Sequence, residues 1–375
     1  MSSNKDLKEL ALLFLKLGII GFGGPAAHIA MMQKEVVVEK KWLKEQEFLD
    51  LIGATNLIPG PNSTEMAIHI GRERAGWKGL IVAGFCFIFP AVIITGIFAW
   101  LYKEYGQLPE VSPFIYGIKP AIIAIIIGAV FPLVKKSVKT FPLAAVGGIV
   151  LICSFLKINE IGLMFGAGFL ILIIEYQQRN KKLNNFIFIS PLQFLLSDSY
   201  SLLNLKLFWI FLKVGALLYG SGYVLFAFLD TELVSRGIIT RQQLIDAIAV
   251  GQFTPGPVFS SVTFIGYQIN GFSGALVSTL AIFLPSFIWV ALSGPFVNKM
   301  RNSSTFSSFL NGVNVASIAL ILSVCITMGI DSITGWKTTL IACISIVVVF
   351  GFKKLNSVFV VIGGALLGYL LSLLP

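Results

Sequence analysis

Long apolar segments, separated by short polar ones, run along most of the chain. Clear examples cover residues 80–101, 115–134, 276–296 and 306–328. A helix needs roughly 20 residues to cross the hydrocarbon core of a bilayer, which is about 30 Å thick. The pattern therefore predicts an all-α polytopic membrane protein embedded in a lipid bilayer.

Several motifs occur twice in the same order, which indicates an internal repeat. The segment FLKLGIIGFGG at 14–24 resembles FLKVGALLYGSG at 211–222, and a Pro-Gly-Pro motif at 59–61 recurs at 255–257. The spacing between matched positions drifts only from 197 to 195 residues along the module. We therefore predict two copies of one unit, with a first repeat over 1–185, a linker over 186–200 and a second repeat over 201–375.

Both halves share one plan of predicted helices. A long helix carries the FLK motif, and a short helix, the Pro-Gly-Pro break, a second short helix and four apolar helices follow. At 1.5 Å per residue, a helix of a dozen residues reaches only about 20 Å, so neither short helix spans the bilayer alone. Two interpretations remain: a re-entrant hairpin that returns to the side it came from, or one broken helix that crosses.

The basic residues distinguish these interpretations, because positive charge favours cytoplasmic loops. Basic clusters lie at 34–44, 72–78 and 135–139 in the first half, and at 299–301 and 353–354 in the second. All of them face the cytoplasm if both hairpins are re-entrant and the second half is inverted. We therefore predict two inverted-topology repeats, each with about five transmembrane helices and one re-entrant hairpin, and both termini outside. A broken crossing helix would give six crossings per half and parallel repeats, which fits the charges less well.

Composition excludes several other classes of protein. Of 375 residues, 56% are hydrophobic and only 12% are charged, which is too apolar for a soluble domain. The net charge of +10 is explained by basic membrane loops, so nucleic acid is not an expected partner. No removable signal, phosphate-binding loop, flavin or haem motif, or metal-ligand spacing of the four cysteines is visible. We therefore expect neither an enzyme nor a cofactor.

The Pro-Gly-Pro breaks are the candidate sites for an anion. Proline blocks helix continuation and glycine permits a sharp turn, so each break starts a new helix with unpaired N–H groups. Hydroxyl and amide side chains follow: Asn62, Ser63 and Thr64 in the first half, and Ser260 with Ser261 and Thr263 in the second. The alternative is a tight turn between packed helices that binds no ligand.

Two lysines occupy equivalent positions within the FLK helices. Lys16 and Lys213 are separated by the repeat spacing of 197 residues. A lysine near the bilayer centre costs on the order of 3 kcal/mol, so both are expected to face a polar cavity where they could bind a dianion. The alternative is that each side chain extends to the membrane interface.

The remaining titratable residues are weaker candidates. Asp50 and Asp246 match between the halves and precede the breaks. Salt bridges or helix caps are their simpler roles, and proton coupling is the more specific alternative. Glu65 stands three residues after Asn62, the spacing of a capping box, with proton coupling again as the alternative. His28 has no counterpart in the second half, and a local hydrogen bond is its simpler role.

These motifs resemble the chromate ion transporter family over nearly the whole chain. The resemblance is carried by FLKLGIIGFGGPAAHIAMM, TNLIPGPNSTEMAIHIG and AGWKGLIVAGFCFIFPA, and by VGQFTPGPVFSSVTFIGYQINGFSGALVS in the second half. One departure is Asn56, where the family usually has the glutamine that Gln252 keeps. By resemblance, the site residues are Lys16, Gly23, Gly24, Pro25, His28, Pro59, Gly60, Pro61, Asn62, Ser63, Lys213, Gln252, Pro255, Gly256 and Pro257.

The resemblance implies export of chromate through a bacterial plasma or inner membrane, giving chromate resistance, with membrane potential or a proton gradient as the driving force. Sulfate is an isosteric alternative, and the sequence leaves it open which oxyanion is physiological. Rival functions are a membrane enzyme such as a chromate reductase and a passive channel. A homodimer is one assembly that the sequence leaves open.

Overall fold

All regular secondary structure is helical in the part of the chain that the structure describes. The structure is a computed structural model, and it describes residues 4–22, 24–106, 108–179, 203–220, 222–293, 303–352 and 355–374. Gly23, the predicted linker over 186–200 and the basic residues at 299–301 and 353–354 lie outside these ranges.

The helices of the first half begin with the one that carries the FLK motif. In chain order they are α1 (Asn4–Ile20), α2 (Gly24–Gln33) with a π-helical continuation (Lys34–Glu39), α3 (Glu45–Thr55), α4 (Asn62–Tyr105), α5 (Ser112–Ser137), α6 (Phe141–Phe155) and α7 (Glu160–Arg179).

The second half follows the same order of helices. Its elements are α8 (Leu203–Leu217), α9 (Val224–Leu229) with a π-helical continuation (Asp230–Val234), α10 (Arg241–Phe253), a 3-10 turn (Val258–Ser260), α11 (Ser261–Ser293), α12 (Ser304–Ser332), α13 (Trp336–Gly351) and α14 (Ser357–Ser372).

Helices α4 and α11 each fold back on themselves at a glycine. Gly76 has φ +60° and Gly271 has φ +56°, a left-handed conformation that glycine adopts without strain. A Cβ on Gly71 would overlap the Gly79 carbonyl, so the two arms of α4 lie in direct contact. Each of these helices is therefore a hairpin of a short arm and a long arm: 62–74 and 77–105 in α4, 261–269 and 272–293 in α11.

Length and composition support a multi-pass membrane protein. Within the described residues, five helical segments are long and apolar enough to cross a membrane: α4, α5, residues 160–177 of α7, α11 with its preceding turn, and α12. Three shorter helices, α6, α13 and α14, are also apolar. Large apolar side chains such as Phe141, Ile330 and Phe359 are exposed, which suits a surface solvated by lipid.

The two halves interlock through their central helices. Helix α5 of the first half packs against α13 and α14, whereas α12 of the second half packs against α6 and α7. The FLK helix of each half packs on its own hairpin, α1 on α4 and α8 on α11, and the two hairpins pack on each other. The largest apolar core is therefore built from both halves.

Helices at the same place in the two halves run in opposite directions. Ile123 of α5 lies beside Gly329 of α12, while Leu133, further along α5, shares a cavity with the earlier Ile318. The long arms behave alike: Gly84 of α4 lies beside Phe287 of α11, and the earlier Leu80 clusters with the later Val290. Both pairs of helices are thus antiparallel.

Candidate functional site

Each Pro-Gly-Pro break is bound to the end of the FLK helix of the other half. The N–H of Gly60 donates to the carbonyl of Leu218 at 2.8 Å, and the N–H of Gly256 donates to the carbonyl of Gly21 at 2.7 Å. Both breaks, including Pro59, Pro61, Pro255 and Pro257, are buried. The glycine N–H groups, which were candidate anion donors, are therefore engaged with carbonyl oxygens.

Each break also packs on the long arm of the other half. A Cβ on Gly60 would lie 2.8 Å from the Ser286 hydroxyl, and a Cβ on Gly256 would lie 2.8 Å from Cβ of Ala91. Gly60 has φ +140° and Gly256 has φ +89°, so both positions also favour glycine through their backbone. The reciprocal contacts place the two breaks and the ends of α1 and α8 together between the halves.

A polar cavity of about 260 Å³ opens beside the first break. Asn56 and Asn62 lie on its wall, and the Asn62 amide donates to the Asn56 side-chain oxygen at 2.9 Å. Lys136 and Lys139 line it from the end of α5. The full set of described lining residues is Thr55, Asn56, Ile58, Asn62, Leu133, Lys136, Ser137, Lys139, Gly220, Val224, Asn311, Asn314, Ser317, Ile318 and Ile321.

The opposite wall of the cavity is a polar stripe on α12. Asn311, Asn314 and Ser317 follow one another at intervals of three residues and so lie on one face of the helix. The Ser317 hydroxyl donates to the Tyr219 carbonyl at 3.1 Å, which ties this stripe to the end of α8. None of the described lining residues is acidic, so the cavity combines amide and hydroxyl donors with two ammonium groups.

Lys16 and Lys213 do not line this cavity, because each forms an ion pair with a glutamate. The ammonium of Lys16 lies 2.5 Å from the Glu35 carboxylate, and Lys213 pairs in the same way with Glu232. Arg236 also binds Glu232, at 3.2 Å. Glu35 and Glu232 are separated by the same 197 residues as the two lysines. That spacing was a sequence signal for both pairs, and sequence reasoning missed it.

The other predicted residues near the end of α1 have structural contacts. Gly24 has φ +79° and begins α2, followed by Pro25. His28 is buried, its Nε2 lies 2.8 Å from the Gly21 carbonyl, and its ring packs edge-on against Phe87. The local hydrogen bond expected for His28 is therefore present, at the same carbonyl that accepts from the second break.

Polar residues at the second break bind one another across the halves. The Thr95 hydroxyl lies within hydrogen-bond distance of two others, 3.2 Å from that of Ser260 and 3.4 Å from that of Thr254. Tyr223 donates to the side-chain oxygen of Gln252 at 3.4 Å, and the Gln252 amide nitrogen is buried without a hydrogen bond. The second break is therefore held by hydroxyl and amide contacts rather than by charge.

Asp50 and Asp246 match in sequence but differ in environment. Asp246 is buried and accepts from the Tyr102 hydroxyl at 2.7 Å and from the Gln242 amide at 3.1 Å. Asp50 is half-buried and accepts from the Gln46 amide at 3.3 Å. The structure therefore gives the two aspartates different partners.

The start of α4 buries three polar side chains behind the first break. Ser63, Thr64 and Glu65 are each at most 2% exposed. Neither carboxylate oxygen of Glu65 has a hydrogen-bond partner, and the helix has no side-chain cap. The predicted capping box between Asn62 and Glu65 is therefore wrong, because Pro61 rather than Asn62 is the N-cap residue and the Glu65 carboxylate is buried against Gly60.

The described residues contain no group of three or more His, Cys, Asp or Glu side chains placed to hold a metal ion. All four cysteines, Cys86, Cys153, Cys325 and Cys343, are free. The amide, hydroxyl and ammonium groups that line the cavity offer hydrogen bonds and positive charge, which suit a small anion.

Comparisons with known proteins identify chromate transporters as the proteins that this chain is similar to. The family model of the chromate transporter matches residues 8–172 and again residues 205–369. A probable chromate transport protein of Synechococcus elongatus is 30% identical over 375 residues, which cover 97% of this chain and 95% of that protein. The chromate transport protein of Cupriavidus metallidurans is 32% identical over 372 residues, covering 96% of this chain and 92% of that protein. No solved structure matches.

A more distant relative has the same extent. The chromate transport protein of Pseudomonas aeruginosa is 25% identical over 386 residues, covering 96% of this chain and 92% of that protein. These relatives are transport proteins rather than enzymes, which agrees with the predicted class and not with a chromate reductase. Because the two matched segments together cover most of its length, the chain belongs to the chromate transporter family.

Proposed function

We propose that this protein exports chromate across the membrane and that the polar cavity beside the first break binds the ion. The observation that carries the proposal is a lining with two lysines, four asparagines and no acidic side chain among the described residues. A tetrahedral dianion needs several donors and compensating positive charge. Pockets for drug-sized molecules occupy roughly 300 Å³ or more, so a cavity of about 260 Å³ suits something smaller.

Two pairs of lysines are candidates for binding the anion, and they differ in whether a glutamate already compensates their charge. Lys16 and Lys213 face glutamates at ion-pair distance, which compensates their charge. Lys136 and Lys139 stand on the cavity wall, and no ion pair with either is recorded in the described part of the chain. An anion in the cavity therefore meets uncompensated charge from α5, while the two paired lysines hold the FLK helices to the π-helical segments.

We further propose that the halves, 1–185 and 201–375, form an inverted repeat with ten crossings and two re-entrant hairpins. Each re-entrant hairpin consists of the short helix before a break, α3 or α10, and the short arm of α4 or α11 that follows it. The antiparallel courses of α5 with α12 and of the two long arms support it, since parallel repeats would align equivalent helices. The rule of positive charge then places the end of α5 in the cytoplasm. The cavity, which that end lines, would load chromate from the cytoplasm of a bacterial cell.

Membrane potential supplies a sufficient driving force for export. Moving one elementary charge through 100 mV is worth about 2.3 kcal/mol, so a dianion that leaves a negative interior gains about 4.6 kcal/mol. The sequence has no phosphate-binding loop of the G-x-x-x-x-G-K type, which favours a gradient over ATP as the energy source. We also propose that the protein resides in the bacterial plasma membrane.

Sulfate is the second candidate substrate, because the amide, hydroxyl and ammonium donors of the cavity fit any small tetrahedral dianion. The test is flux of chromate and of sulfate into proteoliposomes while a potential of either sign is imposed. Saturable chromate flux that reverses with the potential supports the proposal, and faster sulfate flux would reassign the substrate. A folded protein that moves neither ion would refute oxyanion transport, and flux without saturation would indicate a channel.

A further inference from the structure

We propose that Glu65 binds a proton together with each transported oxyanion, so that the two move as cotransported ions. The inference rests on the proposed function, because it needs an anion in the cavity beside the first break. It is carried by the geometry of a single carboxyl group, which is buried directly behind the backbone of that break.

The Glu65 carboxyl group has no compensation for a negative charge. Its side chain is 0% exposed, and neither oxygen has a hydrogen-bond partner among the described residues. The Ser286 hydroxyl is also buried and lies beside the carboxyl group, on the same side of Gly60. An ionised carboxylate in such a place costs several kcal/mol, whereas a protonated one can donate to a neighbouring hydroxyl. This conformation is therefore the one that holds the proton.

The titratable neighbours of Glu65 do not replace the proton. Tyr219, at the end of α8, donates to the Leu57 carbonyl at 3.4 Å, and His69 lies one turn further along α4. Helices α1, α2, α3, α10 and α11 pack against α4. Their titratable side chains are bound elsewhere, exposed or uncharged: Lys16 with Glu35, Asp6 and Glu9 with Arg74, His28 with Gly21, Glu47 with Lys44, Asp50 with Gln46, Arg241 with Asp230, Asp246 with Tyr102, exposed Lys5, Lys8 and Glu45, and Tyr267 of α11.

The second break shows what a purely structural arrangement looks like at this place. By the spacing of 196 residues that relates Gly60 to Gly256, Glu65 corresponds to Ser261, and by the spacing of 195 further along the module, Ser286 corresponds to Ala91. Gly256 packs on Ala91 as Gly60 packs on Ser286. An alanine therefore suffices at the place of Ser286, and the acid is an addition peculiar to the first break, the one that adjoins the cavity.

One segment of chain connects the proton site to the anion site. Ile58 and Asn62 line the cavity, and Gly60 between them contacts the Glu65 carboxyl group. A carboxylate at this place would repel a dianion in the cavity, whereas the neutral acid would not. Binding of the dianion therefore favours the protonated acid and the reverse also holds, because coupling between two sites is reciprocal. Both ligands are bound at once, which makes the coupling cotransport with one net negative charge. The gain from the membrane potential is then about 2.3 kcal/mol per 100 mV, half of that for the dianion alone.

The test uses proteoliposomes with equal chromate on both sides, the potential held at zero and a pH gradient imposed. For one proton per chromate, the wild-type protein should concentrate chromate on the alkaline side by up to about tenfold per pH unit. Glu65→Gln, which mimics the neutral acid, should abolish this accumulation but retain flux driven by potential. The matched control is Glu73→Gln, an exposed carboxylate on the same arm of α4, which should behave as wild type.

Three outcomes would overturn the assignment: no accumulation by the wild type although it moves chromate under a potential, accumulation that persists in Glu65→Gln, or a folded Glu65→Gln protein that is inert under both gradients. If Glu65→Gln does not fold, the double change Glu65→Ser with Ser286→Ala copies the second break and takes its place. A wild type that moves no chromate under a potential refutes the transport function itself and is thereby distinguishable.

Discussion

Neutralising the two lysines of the cavity should weaken chromate binding without slowing the transport step that follows binding. Lys136 and Lys139 are exposed on the cavity wall, so water screens their charge. At about 8 Å in water, a unit charge contributes roughly 1 kcal/mol to the binding of a dianion. Losing both should therefore cost about 2 kcal/mol, which corresponds to an increase of about 30-fold in KM for chromate.

The assay is the rate of potential-driven chromate flux against chromate concentration for Lys136→Gln, Lys139→Gln and the double variant. Because the lysines act on binding, kcat should change little. The increase in KM should shrink at high ionic strength, since salt screens exposed charges.

The matched control is Lys135→Gln. Lys135 is adjacent in sequence, but it lies over the Phe131 ring and lines a different, apolar cavity. Equal KM values for wild type and the double variant, or an equal increase for Lys135→Gln, would refute the assignment of the site.

Three further changes test the surroundings of the site. Asn62→Ala removes one neutral donor from the cavity and should raise KM by about 2- to 12-fold, and an unchanged KM would exclude Asn62 from the site. Gly60→Ala places a Cβ against the Glu65 carboxyl group at φ +140° and should lower both flux and the thermal midpoint, whereas Gly96→Ala, which meets open space, should not. Glu232→Gln leaves Lys213 and Arg236 without their carboxylate and should cost roughly 1–3 kcal/mol in unfolding free energy. Glu35→Gln should cost less, because Lys16 is 54% exposed and water can replace its partner, and equal thermal midpoints for the two glutamate variants would contradict this reasoning.

Much of the fold could be predicted because helices in lipid satisfy their own backbone groups. Apolar length alone therefore located α5 and α12, and the chain breaks at the two Pro-Gly-Pro motifs where proline and glycine require it. Glycine also lies where the chain turns between the short and long arms, at Gly76 and Gly271. The orientation of the repeats was inferred from charge, and the antiparallel helix pairs support that proposal.

The site was predicted only in part. Asn62 lies on the cavity wall as a break residue, but Lys16 and Lys213 are paired with Glu35 and Glu232. The sequence predicts Lys136 and Lys139 as charges of a cytoplasmic loop, and no sequence pattern marks Asn311 and Asn314 as site residues. Their approach to the first break depends on α5 and α12 crossing between the halves, which no local pattern reveals.

The sequence by itself determined the solvent of the chain, its helices, its duplication and the positions where helices must break, because each depends on local hydrophobicity and backbone chemistry. Only the tertiary structure decided which charges are compensated and which carboxyl group is buried without a partner. Two residues with the same place in the repeat, such as Asp50 and Asp246, have different partners because the other half supplies their surroundings.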